Sequence, residues 1–460
     1  MAELKDFLQR AHRMSNYDQL RRKILKSINS YDAAVTQMKS HQFNDWEKAR
    51  RLAAQVKDYT LAHLPDLLET FEKRITARGT KVLWAESAAQ AREYFMKIIE
   101  SCGARKVVKS KSMTTEEIQL NELLEDSGVE VWESDLGELI VQLSGEKPYH
   151  IVTPAMHKSK ADIAKLFHEK LGVDETENAE DLTMVAREHL RKTYVTADIG
   201  VTGANFIIAE EGAVVITENE GNGRLTVSCP PVHVVFVGIE KVLPRLSDLA
   251  LFLPLLATSG TGQQITCYNS IVRGPRQPGE SDGPEEMYVI LLDNGRSELY
   301  TKEKFRDVLR CIRCGACINL CPVFRTVGGH TYNTTYQGPI GSVITPHFLG
   351  MDIWHHLPFA SSLCGACSDV CPVHIDIHRL LLENRWEAVQ KMYDGRIWSV
   401  AMKLWAFVMR SRRRLQMFHQ IARLSEKLLF LFLSKNRRAR MPRLAPKTFA
   451  ELWRENEKSR

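Results

Sequence analysis

The chain has 460 residues, 44% hydrophobic and 26% charged, with a formal net charge of +6, a composition that excludes a disordered or collagen-like chain and fits two to four folded units. Its first ten residues are of mixed charge and its longest apolar run near the C-terminus, 428–433, is far short of a spanning helix, so neither a signal peptide nor a membrane anchor is expected. Ten cysteines without an export signal exclude a disulfide-stapled secreted fold and point to metal ligation in a reducing, cytoplasmic setting.

Residues 1 to about 75 read as a helical arm. Between Asp45 and Leu64 the apolar positions Ala49, Leu52, Ala53, Val56 and Tyr59 fall at helical spacing, which predicts packing and no chemistry. From 76 to 299 strand and helix alternate. Strands are predicted at 81–84, 106–109, 128–132 and 149–153, with an amphipathic helix over 87–102 and a capping box at Thr114 to Glu117. A polar helical insertion spans 157–195. Further strands follow at 199–209, 213–217, 232–238 and 287–292, the last closed by an Asp293-Asn294-Gly295 turn. This order predicts βαβ units around a parallel sheet.

Residues 300–385 carry the most specific signal. A lead-in helix over 305–310 precedes Cys311, Cys314, Cys317 and Cys321-Pro322, spaced C-x2-C-x2-C-x3-C-P, the ligand run of bacterial two-cluster ferredoxins. A second frame, Cys364, Cys367 and Cys371-Pro372, repeats that spacing with Ser361 at the first cysteine position. Thiolates are soft ligands suited to iron–sulfur clusters. Zinc could use two C-x-x-C pairs but does not explain a third cysteine at x2 and a fourth before proline. In such ferredoxins the fourth cysteine of each run ligates the other cluster. One [4Fe-4S] cluster is therefore expected on Cys311, Cys314, Cys317 and Cys371, and a second on Cys321, Cys364 and Cys367. The fourth iron of the second is left to Ser361, to Cys102, Cys229 or Cys267, or to solvent, or is missing as in a three-iron cluster. Pro322 and Pro372 are expected to stop the ligand loops from continuing as helix. The stretch 322–360 is long for a ferredoxin connection, and helices at 347–360 and 374–392 would make this a helical ferredoxin unit.

Residues 386–460 hold 18 Lys and Arg against 6 Asp and Glu, so the remainder of the chain is net negative and the basic excess is a local interaction feature. Arg412-Arg413-Arg414 and Arg437-Arg438…Arg440 are interleaved with Trp398, Trp405, Phe418 and Phe430. Docking of an acidic protein is the favoured reading, peripheral membrane contact comes second, and nucleic acid is disfavoured because no recognition module accompanies the charge.

Lys109-Ser-Lys-Ser-Met113, Thr202-Gly203-Ala204, Glu211-Gly212-Ala213, Glu218-Asn219-Glu220-Gly221-Asn222 and the two cysteine frames together resemble the iron–sulfur members of the lactate-utilization (LUD) family, over almost the whole chain. The resemblance implies a sugar-isomerase/CoA-transferase-like α/β domain, a helical two-cluster ferredoxin domain and a basic C-terminal helical domain. It implies electron transfer during oxidation of L-lactate to pyruvate with companion proteins, between donor and acceptor proteins. The cysteine assignment above matches the family's. Two rivals are an α/β domain that itself oxidises the hydroxy acid with the clusters as internal acceptors, and a regulatory or scaffold module whose clusters sense oxygen or iron.

The remaining candidates read more plainly. No G-x-G-x-x-G follows a strand and no P-loop occurs, so the Gly-rich loops are expected to supply tight turns, an anion site beside Lys109 and Lys111 being the sharper alternative. Glu211 and Glu218 show no arrangement that makes either a base. His150 and His157 read as scaffold. His374 and His378, four apart, are expected on one helical face, tuning a cluster or packing. Cys102, Cys229 and Cys267 lack motif context and read as small hydrophobes.

Overall fold

The computed structural model describes residues 2–393, 396–432 and 445–458. It divides into two compact units, Met1–Trp386 and Glu387–Arg460. The first opens on four helices: α1 (Ala2–Ser15), α2 (Asp18–Gln42), α3 (Trp46–Ala62) and α4 (Leu64–Thr76). The apolar positions of α3 are buried only in part. Leu52 and Tyr59 are exposed, whereas Ala49, Ala53 and Leu61 are buried together with Arg50 and Lys57. Those two cations find carbonyls inside: Lys57 Nζ donates to Glu240 O at 2.6 Å and Arg50 Nε to Cys371 O at 2.8 Å. Burying a charge is tolerable only with such partners.

Ten strands follow: β1 (Lys81–Ala85), β2 (Lys106–Lys109), β3 (Glu130–Glu133), β4 (Ile199–Gly203), β5 (Phe206–Ile208), β6 (Ala213–Glu218), β7 (Val232–Gly238), β8 (Val242–Leu243), β9 (Tyr268–Val272) and β10 (Glu286–Leu292). Six form the expected parallel sheet, ordered β1-β10-β7-β4-β2-β3. Its central strands β7 and β10 are buried on both faces, as a sheet covered on both sides requires. Val234, Phe236, Ile290 and Leu292 pack on one side with Phe95 and Leu124. Val235, Val237, Val289 and Leu291 pack on the other with Leu68, Phe71 and Ile75 of α4.

Residues 199–209, expected as one strand, are two. Gly203 ends β4 and the chain crosses into a four-stranded sheet ordered β8-β5-β6-β9. A methyl on Gly203 would meet Ser112 Oγ at 2.5 Å, so the turn out of β4 is pressed against the loop after β2. Three other expectations are corrected. The helix after β2 is capped by Ser112, whose side chain accepts from Thr115 N, and not by Thr114; Glu117 is held instead by Arg296, at 2.8 Å. Residues 149–153 are not a strand. His150 Nδ1 accepts from Val152 N and Thr153 N at 3.0 and 3.3 Å, taking amides a ladder would need. With Nδ1 accepting, Nε2 carries the proton and donates to Asn319 Oδ1 at 3.0 Å, which ties this loop to the first cysteine frame. Pro322 opens a helix, Pro322–Val327, at a position where its missing N–H costs nothing.

The ferredoxin region is helical, with 3-10 geometry over Arg306–Arg310 and helices Gly338–Leu349, Met351–Trp354, His356–Phe359 and Ile377–Gln390. Gly338-Pro339 and Pro346, expected in a connection, lie in the buried helix Gly338–Leu349. Arm, ferredoxin region and one face of the small sheet share one apolar core, in which Ile28, Ala53, Val215, Phe252, Ile318 and Leu381 are buried.

The second unit contains the helices Arg396–Met409, Arg412–Phe432 and Phe449–Lys458. Trp405, Phe407, Met417 and Phe418 are exposed there. Arg437, Arg438 and Arg440, and the side chains of Trp398 and Phe430, lie outside the described residues. Among the described residues no helix is long and apolar enough to cross a membrane.

Candidate iron–sulfur site and the cavity beside it

The two cysteine frames carry the same backbone signs at the same offsets. Arg313 and Leu363, each preceding the next cysteine, have φ of 59° and 55°, and Gly315 and Gly365 have φ of 80° and 84°. A left-handed residue before and after Cys314 and Cys364 turns the chain so that successive thiols converge, and glycine adopts it without a Cβ penalty. Helices Ala316–Asn319 and Ala366–Val370 then lead to Cys321 and Cys371. Ser361 stands where the first frame has Cys311, with the same local bond: Leu363 N donates to Ser361 Oγ at 3.2 Å, and Arg313 N to Cys311 Sγ at 3.4 Å.

The thiols fall into two sets. Cys314 lies in the electrostatic field of Cys371 and Cys311, Cys317 in that of Cys311, Cys314 and Cys371, and Cys371 in that of Cys311. Cys321 interacts with Cys364, and Cys367 with both. Cys317 also senses Cys367, so the sets adjoin. Each set draws on both frames.

The residues fit a metal–sulfur group. Cys314, Cys317, Cys321, Cys367 and Cys371 are buried, and burial pushes their thiols up, Cys371 to about 11 and Cys367 to about 12. Thiolates so placed need a cationic centre among them. Among the described residues no three cysteine donors lie within 4.8 Å of one another; Glu146, His157 and His330 form the one such set of three donors. Amides soften the sulfurs: Phe324 N donates to Cys321 Sγ at 3.5 Å and Ile375 N to Cys371 Sγ at 3.4 Å.

The sequence reading missed the side chains that hold the ligand loops. Arg50 donates to Cys371 O and Ser368 O, Arg310 to His374 O, Arg325 to Asn319 O and Arg385 to Ser361 O. They come from the arm, the lead-in, the helix Pro322–Val327 and the helix Ile377–Gln390, and no local pattern announces them. His374 and His378 do not share a helix. His374 has φ 50° and precedes Ile377–Gln390; it faces Glu47, whereas His378 faces Asp376 and Ser368. Cys102, Cys229 and Cys267 are exposed. Cys102 ends its helix by donating to Ile98 O at 3.1 Å, near Asp198 and Glu286 at the amino ends of β4 and β10, whereas Arg313 of the first frame meets Glu240 beyond the carboxyl end of β7.

The Gly-rich loops are more than turns. The chain runs from β2 to β3 on one side of the sheet and then to β4, β7 and β10 on the other, so strand order reverses between β2 and β4. Ligands of open α/β sheets sit at the carboxyl ends of the strands at such a reversal. A cavity of about 410 Å³ lies there. Ser110, Lys111 and Ser112 after β2, Gly203 and Ala204 after β4, Glu218 to Glu220 after β6, and Glu240 and Lys241 after β7 line it, together with Arg313 and Cys314. Lys109 is not free for an anion: its Nζ lies 2.7 Å from Glu133 and 3.1 Å from Glu116. Lys111 donates to Val152 O at 2.6 Å. Glu218 caps the helix Asn222–Ser228, accepting from Gly223 N and Arg224 N at 2.5 and 2.8 Å. Glu211 pairs with Arg273 at 3.1 Å.

Comparison with known proteins bears on this arrangement. Residues 68–292 match the LUD domain and residues 307–375 the 4Fe-4S dicluster domain. The chain is 44% identical to lactate utilization protein B of Shouchella clausii (strain KSM-K16) over 79% of its own length and 76% of that protein's. The chain belongs to the lactate utilization protein B family. Its architecture is thus a mostly parallel LUD α/β domain, an iron–sulfur ferredoxin-like region and a helical C-terminal part. Another relative of this family member is an uncharacterized electron transport protein, YkgF, of Escherichia coli (strain K12), 41% identical over 85% of this chain and 82% of that one. The crystal structure of a duf162 family protein from Deinococcus radiodurans is similar at 16% identity, over 50% of this chain and 98% of that one, with a TM-score of 0.28.

Proposed function

We propose that this chain is the iron–sulfur electron-transfer component of a cytoplasmic system that oxidises L-lactate to pyruvate together with companion proteins. The observation that carries this is the sorting of seven cysteines into two adjoining sets, each drawn from both frames. Cys311, Cys314, Cys317 and Cys371 would hold one [4Fe-4S] cluster and Cys321, Cys364 and Cys367 a second, with Ser361 at its remaining frame position. Bound clusters supply one-electron transfer at potentials set by hydrogen bonds to sulfur and by exposure. The chain does the rest. Amides at 324 and 375 donate to thiolates, and the arginines fix the loops. Cys364, the exposed member of the frames, brings the second set to the surface where a donor or acceptor protein can approach. The names of the relatives, with the dicluster match of this chain, support lactate as the source of electrons.

The test is anaerobic. Mixed with its companion proteins, the purified chain should lose visible cluster absorbance on addition of L-lactate, as it does with dithionite. Bleaching by dithionite but not by lactate with the companions present would remove lactate from the account. Turnover of lactate by this chain alone with an artificial acceptor would move the dehydrogenation into it.

A further inference from the structure

We infer that the cavity at the β2/β4 reversal is a binding site for a small organic acid, held by its carboxylate between Lys241 and Arg313, directly against the first cysteine set. That the acid is of the 2-hydroxy or 2-keto class rests on the proposed function; that the site takes a carboxylate does not.

The charges in the cavity differ in how well they are partnered. Four carboxylates line it, Asp135, Glu218, Glu220 and Glu240, and each is engaged within the chain. Glu240 lies 2.6 Å from Arg296. Glu218 accepts two amides of the following helix. Asp135 caps Leu136–Leu143 through Glu138 N, and Glu220 accepts from Leu136 N at 3.2 Å.

The cations are less well provided. Arg313 has a side chain only 8% exposed, and among the described residues its one salt bridge is Nη2 to Glu240 Oε1 at 3.4 Å, a carboxylate whose other oxygen Arg296 holds at 2.6 Å; the Cys311 thiol is also within its electrostatic reach. Its Nε and Nη1 are buried without any hydrogen-bond partner. The guanidinium carbon lies over the Tyr336 ring, 4.6 Å from its centroid. Among the described residues nothing accepts a hydrogen bond from Lys241 Nζ, although Lys241 is 8% exposed. A buried guanidinium with two unpartnered nitrogens is costly unless an anion completes it. A planar fork beside an ammonium is the arrangement that recognises a carboxylate.

The remaining wall suits the rest of such a molecule. Ser112, Asn205, Asn219 and Gln263 offer neutral polar groups, and Ile216 and Leu256 offer apolar ones. The volume is in the range of small-ligand pockets. Cys314 is part of the lining, so an acid bound here abuts a proposed cluster ligand.

The test uses the anaerobically purified full chain, with iron content and dithionite bleaching measured on the same samples. Pyruvate and L-lactate are titrated by calorimetry at fixed ionic strength, against inorganic phosphate as an anion control. Saturable one-to-one binding of at least one acid is expected, weakened tenfold or more by Lys241→Gln and by Arg313→Gln. Ala204→Trp, which fills the cavity away from the cysteines, is expected to abolish binding with iron content unchanged. An iron-loaded chain that bleaches with dithionite but binds neither acid overturns the site and leaves the electron-transfer reading standing. Equal binding of phosphate, or affinity untouched in Lys241→Gln and Ala204→Trp, also overturns it. A chain that binds pyruvate yet holds no iron supports the site and overturns the electron-transfer reading instead.

Discussion

Cys371→Ala is expected to strip iron from the same cluster as Cys311→Ala, although the two lie in different frames. Cys371 interacts electrostatically with Cys311, Cys314 and Cys317, and its thiol is buried. Removing one corner of a buried cluster leaves an iron open to solvent and the other three thiolates poorly compensated, so the cluster is lost or falls to a three-iron form. Iron should drop from about eight to about four or seven atoms per chain. The EPR signal that vanishes should be the one that vanishes in Cys311→Ala. Cys364→Ala should remove the other signal. A chain whose frames each hold their own cluster would pair Cys371 with Cys364 and Cys367 instead, and matching EPR losses in Cys371→Ala and Cys364→Ala would show that.

Arg296→Met is expected to cost roughly 3–5 kcal/mol, the range for removing one partner of a buried ion pair. Arg296 is 1% exposed and lies 2.8 Å from Glu117 and 2.6 Å from Glu240, themselves buried. Glu117 also accepts from Tyr336 Oη at 2.7 Å and Glu240 meets Arg313. The network therefore joins the ends of the parallel strands to the first cysteine frame. Burial would raise both carboxyls, but Arg296 outweighs it: Glu117 is lowered, and Glu240 is held down at about 2. With folded values below the unfolded one of about 4.3, both contribute stability above that pH and lose it as pH falls toward 2. In the variant the same carboxyls lack their cation and take up protons more readily. The gap in urea midpoint between wild type and Arg296→Met should therefore be widest near pH 7 and narrow toward pH 4. A gap that widens on acidification would contradict this.

What the sequence revealed and what it hid follow from range. The cysteine frames were legible because ligand geometry is written in spacings of two and three residues. The six parallel strands were legible because burial on both faces gives continuous apolar runs such as Val232–Gly238. The helix start at Ser112 was misplaced because Glu117 answers to Arg296, 179 residues away. Residues 149–153 looked like a strand because Tyr149, His150 and Ile151 are buried, but their amides serve His150 and their side chains serve the ferredoxin region. The two-residue β8 is too short for a pattern, and β9 is an edge strand with no buried position to mark it. Arg50 and Lys57 gave no sign of burial in the arm's local pattern, because their partners are carbonyls of residues 371 and 240. The Gly-rich loops were legible as turns, but their convergence on one cavity depends on strand order, which no local stretch encodes.

The central claim is that seven cysteines form two adjoining iron–sulfur ligand sets, each assembled from both frames. Iron and acid-labile sulfide analysis of the anaerobically purified chain, with EPR of the dithionite-reduced protein, tests it most directly. The account predicts about seven to eight irons and two magnetically interacting clusters per chain. A chain that stays colourless after reconstitution, or that carries zinc in place of iron, would contradict it.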